Sequence, residues 1–184
     1  MIVNRKAPER IETARLVLRR PRIQDAATVF ARYAGDPVVT RYLGWGTHQS
    51  VHDTRAFIDF CDNEWSRWPA GPYMIESRDG GTLIGGTGLG FETRKQATTG
   101  YVLARDAWGH GYATEALIAM RDLAFRLGVE RLYALCHPEH TASWRVLEKG
   151  GFVREGLMRG YAEFPNLEPG RKSDVLCYST VFSR

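Results

Sequence analysis

Thr98-Thr99-Gly100-Tyr101-Val102-Leu103, then Trp108-Gly109-His110-Gly111-Tyr112-Ala113-Thr114, then an apolar-periodic run ending at Gly128, is the stretch around which the chain is organised. Thr99 to Leu103 reads as a strand. The two glycines read as a turn. Ala113, Ala116, Leu117, Met120, Ala124 and Leu127 share one face of a 3.6-residue period, which predicts a helix. Gly128 is its stop, with Arg121 and Arg126 near the negative end of the dipole. A strand feeding a glycine turn feeding a helix aims backbone N–H groups at one spot, because the first four have no partner inside the helix. Such a spot binds phosphate.

Two common phosphate folds are excluded by residue type. A P-loop needs Lys and Ser or Thr after its second glycine, where this chain has Tyr112-Ala113. A dinucleotide fingerprint needs a third Gly or Ala, where Thr114 stands, and an acid at a later strand end, whereas Glu130 precedes its strand.

Working outward, the 184 residues suit one domain (1–184, with 1–9 as a short tail), large enough for a substantial core. No apolar run is long enough for a transmembrane helix, and no h-region follows Met1, so a cytoplasmic protein is expected. Cys61, Cys136 and Cys177 are odd in number and far apart, which fits buried thiols rather than disulfides or metal ligands. His48 and His52 stand four apart but lack a third ligand, so no metal is expected. The net charge of +4 is spread through the chain. Arg15, Arg19, Arg20 and Arg22 read as a solvated surface rather than a nucleic-acid groove, which needs a sustained basic stripe.

Upstream, Ile11 to Arg19 reads as a strand, and Asp25 as the cap of a helix through Val29 and Tyr33. Asp36-Pro37 breaks it before a short helical piece. Ser50 and Asp53 start another helix, with Phe57, Ile58, Cys61 and Trp65 at helical spacing. Tyr73 to Ser77 and Thr82 to Phe91 are strands around an Asp79-Gly80-Gly81 turn. Downstream come a strand at Arg131–Cys136, parallel to the one before the helix, a helix from Thr141 to Lys149, and strands at Phe152–Met158 and Asp174–Phe182. The expected architecture is mixed α/β: a mostly antiparallel sheet of six to seven strands with one βαβ crossover and flanking helices.

Three segments resemble the GNAT superfamily of acetyl-CoA-dependent N-acetyltransferases, in particular its ribosomal-protein alanine N-acetyltransferase-like branch. They are Arg15-Leu16-Val17-Leu18-Arg19, the stretch Gly100–Leu103 with Trp108–Leu117, and His140 to Phe152. They occur in the family's order and cover Leu16 to about Tyr178. The resemblance implies acetyl-CoA as cosubstrate, a primary amine as acceptor (a protein N-terminus or a small molecule) and a possible homodimer. A rival reading is a non-catalytic acyl-CoA-binding or interaction domain of the same fold.

It also implies site residues. Tyr101, Val102 and Leu103 would offer backbone groups to the pantetheine arm. Gly109, His110, Gly111, Tyr112, Ala113 and Thr114 would take the pyrophosphate, with Trp108 where the family usually has Gln or Arg; a packed core aromatic is the other reading of Trp108. His140 stands at the family's Asn position, as a pantetheine donor or a helix cap. Ser143 matches the family's Ser and is the candidate acid, because Leu147 occupies the place of the usual tyrosine. Candidate bases are Glu163, then Glu92 and His137. A backbone N–H of Val102 or Leu103 would hold the thioester oxygen.

Overall fold

The structure, a computed structural model, describes residues 6–182. Eight strands form one sheet in the order β1-β2-β3-β4-β5-β6-β8-β7. They are β1 (Arg10–Glu12), β2 (Leu16–Arg19), β3 (Pro72–Ser77), β4 (Leu83–Phe91), β5 (Gln96–Leu103), β6 (Arg131–Cys136), β7 (Val153–Glu163) and β8 (Lys172–Val181). The helices are α1 (Ala26–Val29, continuing as a π turn over Phe30–Ala34), α2 (Pro37–Thr40), α3 (Val51–Arg67), α4 (Tyr112–Leu127) and α5 (Thr141–Lys149). All strand pairs are antiparallel except β5–β6, which the α4 crossover makes parallel.

The sheet exceeds the expected six to seven strands because Ile11–Arg19 is not one strand. Thr13 N–H donates to the Leu16 carbonyl and folds the segment into the β1–β2 hairpin. Of the expected tail, residues 1–5 lie outside the described residues. The rest is packed: Ala7 is buried, its N–H donates to the Pro69 carbonyl, and Tyr73 donates its hydroxyl proton to the Pro8 carbonyl.

Three of the four clustered arginines, Arg15, Arg19 and Arg20, are paired staples, while Arg22 is exposed as expected of a solvated face. Arg19, with its side chain 10% exposed, bonds both oxygens of Asp25 at 2.8 Å and Glu76 at 2.7 Å. Asp25 therefore serves Arg19 and the Arg22 N–H instead of capping α1. Burial alone would push the Asp25 carboxyl up; the Arg19 hydrogen bonds outweigh it and hold it below the usual carboxylate range. Arg20 pairs with Glu9 and Asp62, and Arg15 with Glu115.

Helix boundaries follow their caps. Ser50 and Asp53 form a reciprocal capping box at the start of α3. Gly128, at φ 84°, closes α4 in the left-handed region. Ala116, Leu117, Met120, Leu123 and Ala124 of α4 pack on one face of the sheet with Leu16, Leu18, Ile75 and Leu132. The other face carries α1 and its π turn, through Val29, Tyr33 and Ala34 against Met74 and Leu83. No described helix is long and apolar enough to cross a membrane.

Candidate active site

The sheet opens at its centre. β5 and β6 pair only over Gln96–Thr98 with Arg131–Tyr133. β5 then runs on to Leu103 against β4, while β6 runs on to Cys136 against β8. The outer edge of Thr99–Leu103 is thus left unpaired by β6. A cavity of about 560 Å³ lies at this gap, reached by β4, β5, β6, α3, α5 and the loop after α2.

Alternation along the strands decides what faces it. Gly86, Gly88 and Gly90 share one face of β4, and Gly88 is registered against Gly100 of β5. A Cβ on Gly86 would stand 3.3 Å from the Tyr33 hydroxyl, which places this face toward α1 and its π turn. A Cβ on Gly100 would meet nothing within 4 Å.

Tyr101 points the other way and reaches α5. Its hydroxyl lies 2.8 Å from the Ser143 carbonyl and 3.1 Å from Ser143 Oγ. Burial pushes the phenol well above its ordinary value, with the Ser143 hydrogen bond opposing, so it stays protonated at neutral pH. Sequence reasoning named Tyr101 only for its backbone; no local pattern reveals a hydroxyl pair bridging two elements 42 residues apart.

His140 lines the same cavity and begins α5, but its ring makes no capping bond. It stacks on Tyr42 with centroids 4.8 Å apart. Burial and then the neighbouring His137 lower its pKa, so the ring is neutral at neutral pH. Leu147 is buried and also lines the cavity.

The glycine turn lies outside the cavity, at the start of α4. Gly109 and Gly111 both sit at φ 78°, a conformation that a side chain would strain. Arg15 leans over the turn. Its Nη1 donates to the His110 carbonyl at 2.8 Å, its guanidinium lies 4.8 Å from the Tyr112 ring centroid, and a Cβ on Gly111 would stand 3.4 Å from Nη2. Glu115 fixes Arg15 through Nε at 2.8 Å and the backbone N–H at 2.8 Å, and accepts from Thr13 Oγ1 at 2.6 Å. His110 stacks on Tyr112, Ala113 packs against the core, and Thr114 follows in the first helical turn. Trp108 is not a core aromatic: it is 46% exposed, and its Nε1 donates to the Leu103 carbonyl at 2.8 Å. These residues fit an anionic diphosphate: two glycines with no side chain in the way, a helix N-terminus and a cation beside it.

The candidate bases separate. Glu163 lies at the cavity rim, where one carboxylate oxygen accepts from the Gly170 N–H at 2.8 Å. Glu92 is not among the lining residues; Tyr133 and Gln96 occupy its carboxylate. His137 is also outside it, with Nδ1 accepting from the Glu139 N–H and its ring between Tyr42 and Phe164. Glu64 on α3 does line the cavity and went unnoticed in the sequence. The signal was available: Phe57, Phe60 and Glu64 at i, i+3 and i+7 form a stripe beside the buried one of Thr54, Ile58, Cys61 and Trp65. His48 is engaged with Thr54 Oγ1 at 2.8 Å, and no group of three metal-ligating side chains occurs among the described residues.

The family model described as acetyltransferase (GNAT) domain matches residues 15–153. The uncharacterised N-acetyltransferase p20 of Bacillus licheniformis is 32% identical over 94% of this chain and 96% of its own length. A GNAT-family acetyltransferase from Bacillus anthracis superposes with a TM-score of 0.80 at 26% identity, over 94% of this chain and 98% of that one. RimL, the ribosomal L7/L12 α-N-protein acetyltransferase solved in complex with coenzyme A, shares the fold with a TM-score of 0.80 at 22% identity, over 95% and 98%. With the split sheet, the glycine turn opening α4 and these likenesses together, the chain belongs to the GNAT family and is an N-acetyltransferase.

Proposed function

We propose that this chain moves an acetyl group from acetyl-CoA to a primary amine by direct attack, as a single domain over 1–184 working in the cytoplasm. The observation that carries the reading is the gap between β5 and β6, which opens the sheet onto the cavity of about 560 Å³. The turn from Trp108 to Thr114, with Arg15 beside it, would hold the cosubstrate's pyrophosphate. The edge of Tyr101–Leu103 left unpaired by β6, its Leu103 carbonyl already taken by Trp108 Nε1, and the ring of His140 would hold its pantetheine arm, with a β5 N–H on the thioester oxygen. The cosubstrate supplies an acyl carbon already activated by a thiol leaving group.

The proton balance explains why no strong base is required. Attack by a neutral amine forms the C–N bond and breaks the C–S bond. The nitrogen must lose one proton and the sulfur must gain one. A hydrogen-bonded relay therefore suffices once the amine is neutral. An α-amine, with pKa about 8, is neutral in a fair fraction near pH 7, and a lysine-like amine, at about 10.4, rarely. Glu163 and Glu64 are the carboxylates that would take the proton of an arriving ammonium. Ser143 would donate to the departing sulfur, its proton turning there from the Tyr101 hydroxyl oxygen, while Tyr101 donates to the Ser143 carbonyl and holds the start of α5 in place.

The test is thiol release from acetyl-CoA in the presence of an amine panel spanning N-terminal peptides and small molecules. Release that depends on an amine, with the acetylated product found by mass spectrometry, is expected. Binding of acetyl-CoA without transfer to any amine would overturn the reading.

A further inference from the structure

The acceptor end of the cavity has a definite chemistry. One wall is a row of three rings. Trp45 and Phe57 have centroids 6.5 Å apart with planes 19° apart, and Phe57 and Phe60 repeat the spacing at 6.5 Å and 27°. Phe60 is 52% exposed, although it lies in the middle of a helix whose neighbouring stripe is fully packed. The row is held in place. Asn166 donates to the Trp45 and Thr40 carbonyls at 2.7 and 2.8 Å and accepts from the Thr47 N–H at 2.7 Å, so the Trp45 loop is clamped. The floor is bare at Gly100, where an added Cβ would meet nothing within 4 Å, between Thr98 and Val102; its registered partner Gly88 is closed off by Pro72, whose Cα would lie 2.7 Å from an added Cβ. The charge is one-sided. Glu64 and Glu163 line the cavity, and no Lys or Arg among the described residues does. Glu64 forms no ion pair with another described residue.

We propose that the acceptor is an arylalkylamine, a cationic primary amine on a flat aromatic body, seated between the Trp45–Phe57–Phe60 row and the open floor at Gly100. A flat ring fills a slot with an aromatic wall and a side-chain-free floor, where a branched chain would leave voids. The ring faces attract an ammonium, and Glu64 adds a full negative charge one turn further along α3. The same pair of carboxylates, with no described Lys or Arg lining the cavity beside them, disfavours acceptors that carry a carboxylate or phosphate of their own. The proposal rests on the acetyl-transfer reading and narrows its acceptor.

The experiment is steady-state thiol release at saturating acetyl-CoA. The acceptors are tryptamine and phenethylamine, their α-carboxylate counterparts tryptophan and phenylalanine, spermidine, and a peptide with N-terminal Ala. Acetyl-CoA binding is measured separately by calorimetry. The expected kcat/KM for the two arylalkylamines exceeds that of every other acceptor by about tenfold or more. Phe60→Ala and Gly100→Leu should each lower it about tenfold, with the thermal midpoint moved by less than about 2 °C, because Phe60 is exposed and a side chain at Gly100 enters open space. Equal or reversed preference among transferring amines overturns this inference and leaves the transfer reading standing. Absence of amine-dependent release with every one of these acceptors, while acetyl-CoA binds, overturns the transfer reading itself.

Discussion

Replacing Glu115 tests what holds the glycine turn proposed to take the pyrophosphate. Its Oε1 accepts from both Thr13 Oγ1 and the Arg15 N–H, and its Oε2 from Arg15 Nε. The carboxylate is largely buried, whereas the Arg15 side chain is half exposed. The ion pair itself is therefore worth less than about 1 kcal/mol. The two bonds to Oε1 are charge-assisted, at about 1.5 kcal/mol each at the low end for such bonds. Glu115→Ala should lower unfolding stability by about 2–3 kcal/mol. Glu115→Gln keeps an acceptor at the Oε1 position but sets an amide N–H₂ against Arg15 Nε, so about 1 kcal/mol is expected. Both release Arg15 from the turn, and the KM for acetyl-CoA should rise several-fold while kcat changes little. Burial pushes the Glu115 carboxyl up, and the Thr13 and Arg15 bonds outweigh it, so its native pKa lies below the ordinary value. A depressed native pKa means that this stability is present above the unfolded value, about 4.3, and is lost as pH falls through the native one. Urea titrations at pH 7 and at pH 3–4 measure it. The gap between the native chain and Glu115→Gln should shrink in acid. An Ala cost below about 0.5 kcal/mol, or a gap independent of pH, would refute the assignment.

Two further outcomes follow from the same geometry. Ser143→Ala should reduce kcat about ten- to a hundredfold with the acetyl-CoA KM nearly unchanged, and Tyr101→Phe should reduce it less, because Tyr101 acts through Ser143; an unchanged kcat in Ser143→Ala means the sulfur is protonated by another route. Arg19→Met strands Asp25 and Glu76 without their shared cation and should cost about 3–5 kcal/mol, most of it recovered when Asp25→Asn and Glu76→Gln are added, as read from urea midpoints.

The strand, glycine turn and helix proposed to take the donor were legible because local rules build them. A strand, two glycines forced to positive φ and an amphipathic helix with a glycine stop are all specified by residues within one 31-residue window, and the helix begins and ends where the pattern puts it. The acceptor side was not, because it is assembled from distant segments. Phe60 and Glu64 were in view as α3 residues, yet only the packing of the 54/58/61/65 stripe onto the sheet turns them toward the cavity. Asp25 shows the opposite failure. An Asp before an apolar helical run is a good cap by local preference, and a buried arginine one strand away outbid the helix for its oxygens. The β1–β2 hairpin was missed for want of a Gly or Pro; Thr13 makes the turn with its own hydroxyl, bonded to the Leu16 N–H and tied to Glu115.

β5 explains why donor and acceptor chemistry can meet in a continuous sheet at all. Its odd residues, Ala97, Thr99, Tyr101 and Leu103, face the α4–α5 side, where Tyr101 finds Ser143. Its even residues, Thr98, Gly100 and Val102, face the cavity wall of rings. A fully paired ladder would keep those faces apart, because backbone hydrogen bonds fill the space between strands about 4.8 Å apart. Here the ladder to β6 ends at Thr98, one residue before the face-crossing becomes useful. A side chain at Gly100 would refill the opening from the acceptor face, while one at Gly111 would disturb only the donor turn. In the proposed reaction the two glycines serve separate halves, and substitutions at them should be separable in kinetics: Gly100 in the acceptor's kcat/KM, Gly111 in the cosubstrate's.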